Sequence, residues 1–403
     1  MGLLNILLLM ISFVSLNAQS NMELTTQKID NINQQLDEWI KSEKYAGIIN
    51  LTSIDNDIKH FEAFGYSDIK EKKLMEKDTI VRIYSMTKPI VSVAIMQLVE
   101  QGKLKLDSPI TDYFPEFKKL KVYQNGRYVR PNKEITLKNL LTHTAGFSYG
   151  WSEHPVDKKY QKAKIWDDLK DGNDFVKKIS KLPLIYHPGE KWHYSISVDI
   201  QGVLIERVTG ITLAKYLDVN FFEPLEMEDT SFRLPNTKKN RFSSNYKNEN
   251  GKLKLAEKWR SQHYSSESNF FGGGGGLVST ASDYYKFAQM LLNGGTFNGR
   301  YYIGKNTIDL MTRDHLKNVL DNPKDPWTDY SFGLEDSKFG LGFRLNISKD
   351  PSSGKEITQQ YSWNGAAGTE FWIDPLNHLI NITLIQKLDS DWTLREKMES
   401  LIY

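Results

Sequence analysis

Ser85 and Lys88 stand three residues apart at the head of an apolar run, a spacing that sets a hydroxyl and an amine one turn apart on the same helical face. A serine hydroxyl becomes a nucleophile when a nearby base takes its proton. At the buried N-terminus of a helix, desolvation and the positive end of the dipole both disfavour an ammonium, so a share of neutral lysine becomes accessible as that base. The free backbone N–H groups of the same terminus can hold an oxyanion. The spacing alone is equally met by a serine that caps a helix and a lysine in solvent.

Context separates the four Ser-x-x-Lys occurrences, at Ser67, Ser85, Ser244 and Ser352. Ser67 leads into the charged segment around Lys70, Ser244 lies in the polar stretch 240–250, and Ser352 belongs to Ser352-Ser353-Gly354. Only Ser85 precedes a long apolar segment. Pro89 is tolerated within a first helical turn and not deeper, so a helix must begin close to Ser85. Ile90, Val91, Val93, Ala94, Ile95, Leu98 and Val99 then cover most of its circumference, which predicts a buried helix that Gly102 ends.

A second serine competes. Gly146-Phe147-Ser148-Tyr149-Gly150 matches the Gly-x-Ser-x-Gly nucleophile elbow, and Asp and His residues follow it. An elbow needs a buried strand before the serine and a packing helix after it. Here Ile135 to Leu141 reads as a short helix, and Trp151-Ser152-Glu153-His154-Pro155 is polar, so Ser148 reads as a loop residue.

The elements that must position these groups follow from periodicity. Ile29 to Ile40 has helical spacing, and Gly47 to Thr52 and Phe61 to Tyr66 read as strands. The segment from about 85 to 292 reads as mostly helical. The period then becomes two at Leu341, Phe343, Leu345 and Ile347, and Thr369 to Ile373 and Leu379 to Ile385 read as a hairpin. The expectation is an α+β fold. N-terminal segments (about 45–82) and C-terminal segments (about 340–390) build one antiparallel sheet, flanked by helices and with a helix-rich region inserted.

Composition narrows the chemistry. The 403 residues carry 52 Lys and Arg against 50 Asp and Glu, without a basic stretch, which argues against nucleic acid as a partner. The absence of cysteine excludes thiolate nucleophiles and disulfides, and the eight histidines show no metal-ligand spacing. Neither a cofactor nor a metal is called for. Residues 1–18 differ from the rest: Leu3 to Val14 is almost wholly apolar but too short to span a bilayer, and Leu16-Asn17-Ala18 ends in a small residue. This predicts a cleaved export signal, although its first residues carry no Lys or Arg. The mature chain, 19–403, is then periplasmic or secreted and has no membrane span; an uncleaved anchor is the alternative.

Arg82-Ile83-Tyr84-Ser85-Met86-Thr87-Lys88-Pro89, with Gln97-Leu98-Val99-Glu100-Gln101-Gly102-Lys103-Leu104, closely resembles the serine β-lactamase and penicillin-binding-protein superfamily. Within it the chain is most similar to the class C-related esterases, the family VIII carboxylesterases. Leu140-Leu141-Thr142-His143-Thr144-Ala145-Gly146, Pro224-Leu225-Glu226-Met227, Gly273-Gly274-Gly275-Gly276-Leu277-Val278-Ser279-Thr280 and Gly365-Ala366-Ala367-Gly368-Thr369 follow in the expected order. The resemblance implies a β-lactamase/transpeptidase-like fold and a tyrosine as second basic group. Tyr194, in Trp192-His193-Tyr194-Ser195, takes that place, and a neighbouring ammonium would lower its phenol toward useful basicity. It also implies an oxyanion hole from the N–H groups of Ser85 and Ala366, with Gly365 allowing close backbone approach.

Two departures matter. Where the β-lactamases carry a Lys-Thr-Gly cation for the substrate carboxylate, this chain has Trp363-Asn364-Gly365, and the family's Tyr-x-Asn amide is replaced by Ile196. Both resemble the esterase branch and imply neutral acyl substrates. The run Gly272 to Gly276 reads as a flexible connection or a mobile loop beside the cleft, and His143 as a structural hydrogen-bonding residue. The expected activity is hydrolysis of a small-molecule ester or amide through an acyl-enzyme on Ser85. A β-lactam or D-amino-acid peptide substrate, or a non-catalytic cell-wall-binding role, are the alternatives. Nothing in the sequence sets the oligomeric state.

Overall fold

The structure, a computed structural model, describes residues 22–256, 269–317, 319, 338–390 and 393–403; the expected export signal at 1–18 lies outside them. Eight strands form one antiparallel sheet in the order Lys338–Phe339, Arg344–Lys349, Glu356–Asn364, Glu370–Asp374, Leu379–Ile385, Gly47–Ile54, Asp57–Asp68 and Lys73–Leu74. The two chain ends meet at its centre, where Ile48 pairs with Ile385 and Ile54 with Leu379.

Every residue of Gly47–Ile54 is buried, because helices cover both faces of the sheet. Ile48 and Ile54 face the terminal helices Thr26–Lys41 and Leu394–Ile402, while Ile49 and Leu51 face the main core. The terminal-helix face also carries buried polar side chains that satisfy one another. Asn50 Nδ2 donates to Asn381 Oδ1 at 2.8 Å and Thr383 Oγ1 at 3.0 Å, Thr52 Oγ1 donates to Asn381 Oδ1 at 2.9 Å, and His60 Nδ1 pairs with Asn50 Oδ1 at 2.8 Å. Such groups are tolerated in a core only because they are paired.

The insertion packs on the opposite face. The helix Thr87–Glu100 is buried at every residue from Thr87 to Leu98, as its all-round apolar pattern predicts, and lies against the helix Ser197–Thr209. Gly102, at φ +71°, ends it: the N–H groups of Gly102 and Lys103 donate to the carbonyls of Val99 and Leu98, a Schellman closure.

Three boundaries differ from the sequence reading. Val81–Arg82 pairs with Val278–Ser279, not with the main sheet, which ends at Leu74 and so falls short of the expected 82. Leu341 and Phe343 precede the strand that starts at Arg344, because Gly340 and Gly342 bend the chain against its neighbours. A Cβ on Gly340 would lie 2.0 Å from the Met311 carbonyl oxygen, and one on Gly342, at φ +91°, would lie 2.4 Å from Ser92. The insertion is also less purely helical than expected. It contains the two-stranded ribbons 122–129, 246–255 and 296–301, each turning on an Asn-Gly pair with both φ angles positive.

Candidate functional site

Ser85 sits in a single 3₁₀ turn, Tyr84–Met86, that runs directly into the helix Thr87–Glu100. Tyr84, immediately before it, is left-handed at φ +44°, a conformation costly for an aromatic residue. Its phenol oxygen accepts from Asn245 Nδ2 at 2.6 Å, which anchors the ring while the backbone turns. Ser85 remains partly exposed between buried neighbours.

One turn on, Lys88 is 2% exposed, and its Nζ donates to Ser85 Oγ at 3.2 Å and to the carbonyl oxygen of Gly274 at 2.6 Å. The same Nζ lies 4.5 Å from the centroid of the Tyr194 ring and 5.2 Å from that of Tyr149. The Ser85 hydroxyl, the Lys88 amine and the Tyr194 ring are therefore neighbours, with the amine against the face of that ring. Tyr194 is itself buried, with His143 at 4.9 Å and Tyr149 at 5.4 Å, centroid to centroid.

The strand Glu356–Asn364 packs against the Ser85 turn and delivers Trp363, a buried ring 5.6 Å from Tyr194 and 5.5 Å from Phe339. The indole N–H of Trp363 has no hydrogen-bond partner among the described residues. Gly365 opens a five-residue connection to Glu370–Asp374, closed by Gly365 N donating to Thr369 O at 2.7 Å and Gly368 N to Gly365 O at 2.9 Å. A Cβ on Gly365 would come within 2.4 Å of the Ile83 carbonyl oxygen and 2.2 Å of Thr369 Oγ1. The close approach that glycine permits here is to the chain just before Ser85. Ala366, next in the connection, stays partly exposed.

The glycine run is not a flexible connection. Gly276 N donates to Gly272 O at 2.9 Å, and a Cβ on Gly273 would lie 2.5 Å from the Val198 carbonyl oxygen. At Gly274 it would lie 2.4 Å from Asp199 Oδ2 and 2.7 Å from Tyr149 Oη. These residues are small because a backbone turn is wedged between two elements, with its Gly274 carbonyl aimed at Lys88.

Two residues of this site escaped the sequence reading. Asp199, in the first turn of Ser197–Thr209, is 2% exposed; Gly274 N donates to its Oδ1 at 2.8 Å and Tyr149 Oη to its Oδ2 at 3.4 Å. Burial pushes its carboxyl up to about 6, against the opposing pull of the Lys88 charge. An acidic residue set between Val198 and Ile200 at the head of a helix is the signal that identifies it, since such a charge, once buried, must be paired. Tyr149 stacks on the half-exposed Trp151 at 4.5 Å and bridges toward Lys88.

Ser148 is a structural node. It is 1% exposed, donates from Oγ to Asp157 Oδ1, and accepts from Gly150 N at 2.9 Å. His193 Nε2 approaches it at 3.4 Å, but neither a strand nor a helix flanks it, so the elbow geometry is absent at this position. His143 is buried at φ +54° and accepts from Ser195 N at 3.3 Å. Burial first, then the nearby Lys88 charge, hold its imidazole well below the ordinary range and therefore neutral. No cluster of potential metal ligands occurs among the described residues.

A family model described as Beta-lactamase matches residues 30–398. An uncharacterized protein of Mycobacterium tuberculosis is 33% identical over 342 residues, 80% of this chain and 81% of its own. Esterase EstB of Burkholderia gladioli is 32% identical over 201 residues, 49% of each chain. Among solved structures, EstCE1, described as a hydrolase with promiscuous acyltransferase activity, superposes with a TM-score of 0.77 at 21% identity, covering 94% of this chain and 99% of that one.

Proposed function

Since the chain belongs to the beta-lactamase family, we propose that it is a serine hydrolase cleaving carboxylic esters through an acyl-enzyme on Ser85. The observation that carries this reading is the 3.2 Å contact of Lys88 Nζ with Ser85 Oγ at a buried amine. In the neutral form, that amine takes the hydroxyl proton as Oγ attacks the ester carbonyl. Tyr194, packed on the amine, relays the proton to the leaving alcohol as the C–O bond breaks. The N–H groups of Ser85 and Ala366 hold the tetrahedral oxygen, and water attacks the acyl-enzyme by the reverse relay.

Substrate choice follows from two residues. Trp363 stands where a cation would hold a substrate carboxylate, and Ile196 where an amide would bind a peptide-like side chain. Both favour neutral acyl groups over penicillins and D-alanyl peptides. EstB is named as an esterase and EstCE1 as a hydrolase with acyltransferase activity, which fits acyl chemistry of this kind. Export to the periplasm or beyond, carried by residues 1–18, completes the proposal.

A fluorophosphonate probe followed by peptide mapping tests the reading: label on Ser85, lost in Ser85→Ala together with p-nitrophenyl butyrate turnover, is the expected result. Label on Ser148, or a chromogenic cephalosporin turned over faster than the ester, would overturn it.

A further inference from the structure

Lys88 is a buried cation, and removing a charge from water requires a partner nearby. Its hydrogen bonds to Ser85 and Gly274 supply neutral oxygens, and the rings of Tyr194 and Tyr149 supply only weak π attraction. Among the described residues, Asp199 sets a carboxylate close enough to act on that charge, one backbone residue away. Gly274 is the link: its N–H donates to Asp199 Oδ1 at 2.8 Å, and its carbonyl oxygen accepts from Lys88 Nζ at 2.6 Å. The two hydrogen bonds hold the same residue from either side of its Cα, so the position of the carbonyl that receives the amine is tied to that of the carboxylate. Tyr149 forms a second side of the same arrangement, its hydroxyl on Asp199 Oδ2 and its ring beside the amine.

We infer that Asp199 is a positioning residue for the proposed ester hydrolysis: through the Gly274 backbone and the Tyr149 phenol, it fixes the Lys88 amine against Ser85 and sets the pH at which that amine becomes a base. The inference rests on the acyl-enzyme reading above and adds to it a residue outside its three side-chain roles. The turn that carries the coupling has no room for a side chain at Gly274, where a Cβ would meet both Asp199 Oδ2 and Tyr149 Oη.

Among the described residues, the other titratable groups facing this pair are phenols and imidazoles. Tyr149 contributes from the 145–150 loop and Tyr194 from the segment before the helix Ser197–Thr209, while the glycine turn contributes no ionisable side chain. His143 is neutral, and His193 lies against Ser148. The Asp199 charge stabilises the ammonium, so removing it makes Lys88 easier to deprotonate and carries the acid limb of the reaction to lower pH.

The test is the rate of fluorophosphonate labelling of Ser85 against pH in the full chain, for wild type, Asp199→Asn and Tyr149→Phe. Asparagine keeps an oxygen for Gly274 N–H and removes only the charge. The expected result is an acid limb moved down by about 1–2 pH units in the folded Asp199→Asn variant. Tyr149→Phe, which leaves the carboxylate one donor short, moves it in the same direction by less, and it serves alone should Asp199→Asn fail to fold. A limb that coincides with wild type in the folded variants removes the role of Asp199. A wild type that takes no label on Ser85 instead removes the acyl-enzyme reading itself.

Discussion

The amine of Lys88 is held more closely by the backbone of Gly274, at 2.6 Å, than by the hydroxyl of Ser85, at 3.2 Å. In the proposed mechanism the base is thus anchored by the protein and only then offered to the nucleophile. A lysine held by one strong fixed acceptor keeps its aim when the hydroxyl leaves to attack, which is what a proton carrier between two oxygens requires.

Lys88→Met keeps the buried volume but removes the base. Acylation of Ser85 is expected to fall by at least ~10²-fold in stopped-flow measurements with p-nitrophenyl butyrate, and the melting temperature to fall as well, because Asp199 is left buried without that cation.

Gly274→Ala places a methyl group against Asp199 and Tyr149. The expected cost is about 1–3 kcal/mol of stability in urea unfolding, together with loss of most activity, since the carbonyl that holds Lys88 must move with the turn. The same substitution at Gly126, where a Cβ meets nothing within 4 Å but φ is +78°, should leave turnover unchanged and lower only stability.

Ser148→Ala removes the hydroxyl that bridges Asp157 and the Gly150 N–H. Stability is expected to fall by roughly 1–3 kcal/mol while the p-nitrophenyl butyrate turnover of the folded fraction stays within a few-fold of wild type.

His60 gives the fold an acid-sensitive point far from Ser85. Burial lowers its imidazole from the ordinary 6.5 to about 4, so between those values the unfolded chain binds a proton that the folded chain does not. Its contribution is complete above about pH 6.5 and is lost as pH falls toward 4, by up to ~3 kcal/mol. Urea midpoints at pH 7 and pH 4.5 should separate more in wild type than in His60→Gln; equal separations would contradict this.

Much of this was legible in the sequence because the relevant signals are local. The Ser85-to-Lys88 spacing, Pro89 and the apolar run beyond it specify a buried helix start without reference to anything distant. The hairpin of Glu370–Asp374 with Leu379–Ile385 was equally plain. The Asn-Gly ribbons 122–129 and 246–255 were just as local, yet they disappeared into an insertion read as helical on its longer apolar runs. Asp199 and the tight glycine turn were hidden for another reason. Five consecutive glycines suggest freedom unless the chain packed against them is known, and here Val198, Asp199 and Tyr149 are brought in by tertiary structure. The overlong sheet boundary at 82 has the same origin, since Val81–Arg82 has a strand's composition and finds its partner some two hundred residues away, in the short Val278–Ser279 bridge.

The central hydrogen bond between Asn50 and Asn381 joins positions 331 residues apart, and the strands carrying them are neighbours in the sheet. A polypeptide emerging amino-end first cannot complete its middle layer until residues 379–385 are free. Assembly should consequently be slow and late, with the nucleophile's surroundings left unfinished in any product that stops short of residue 385.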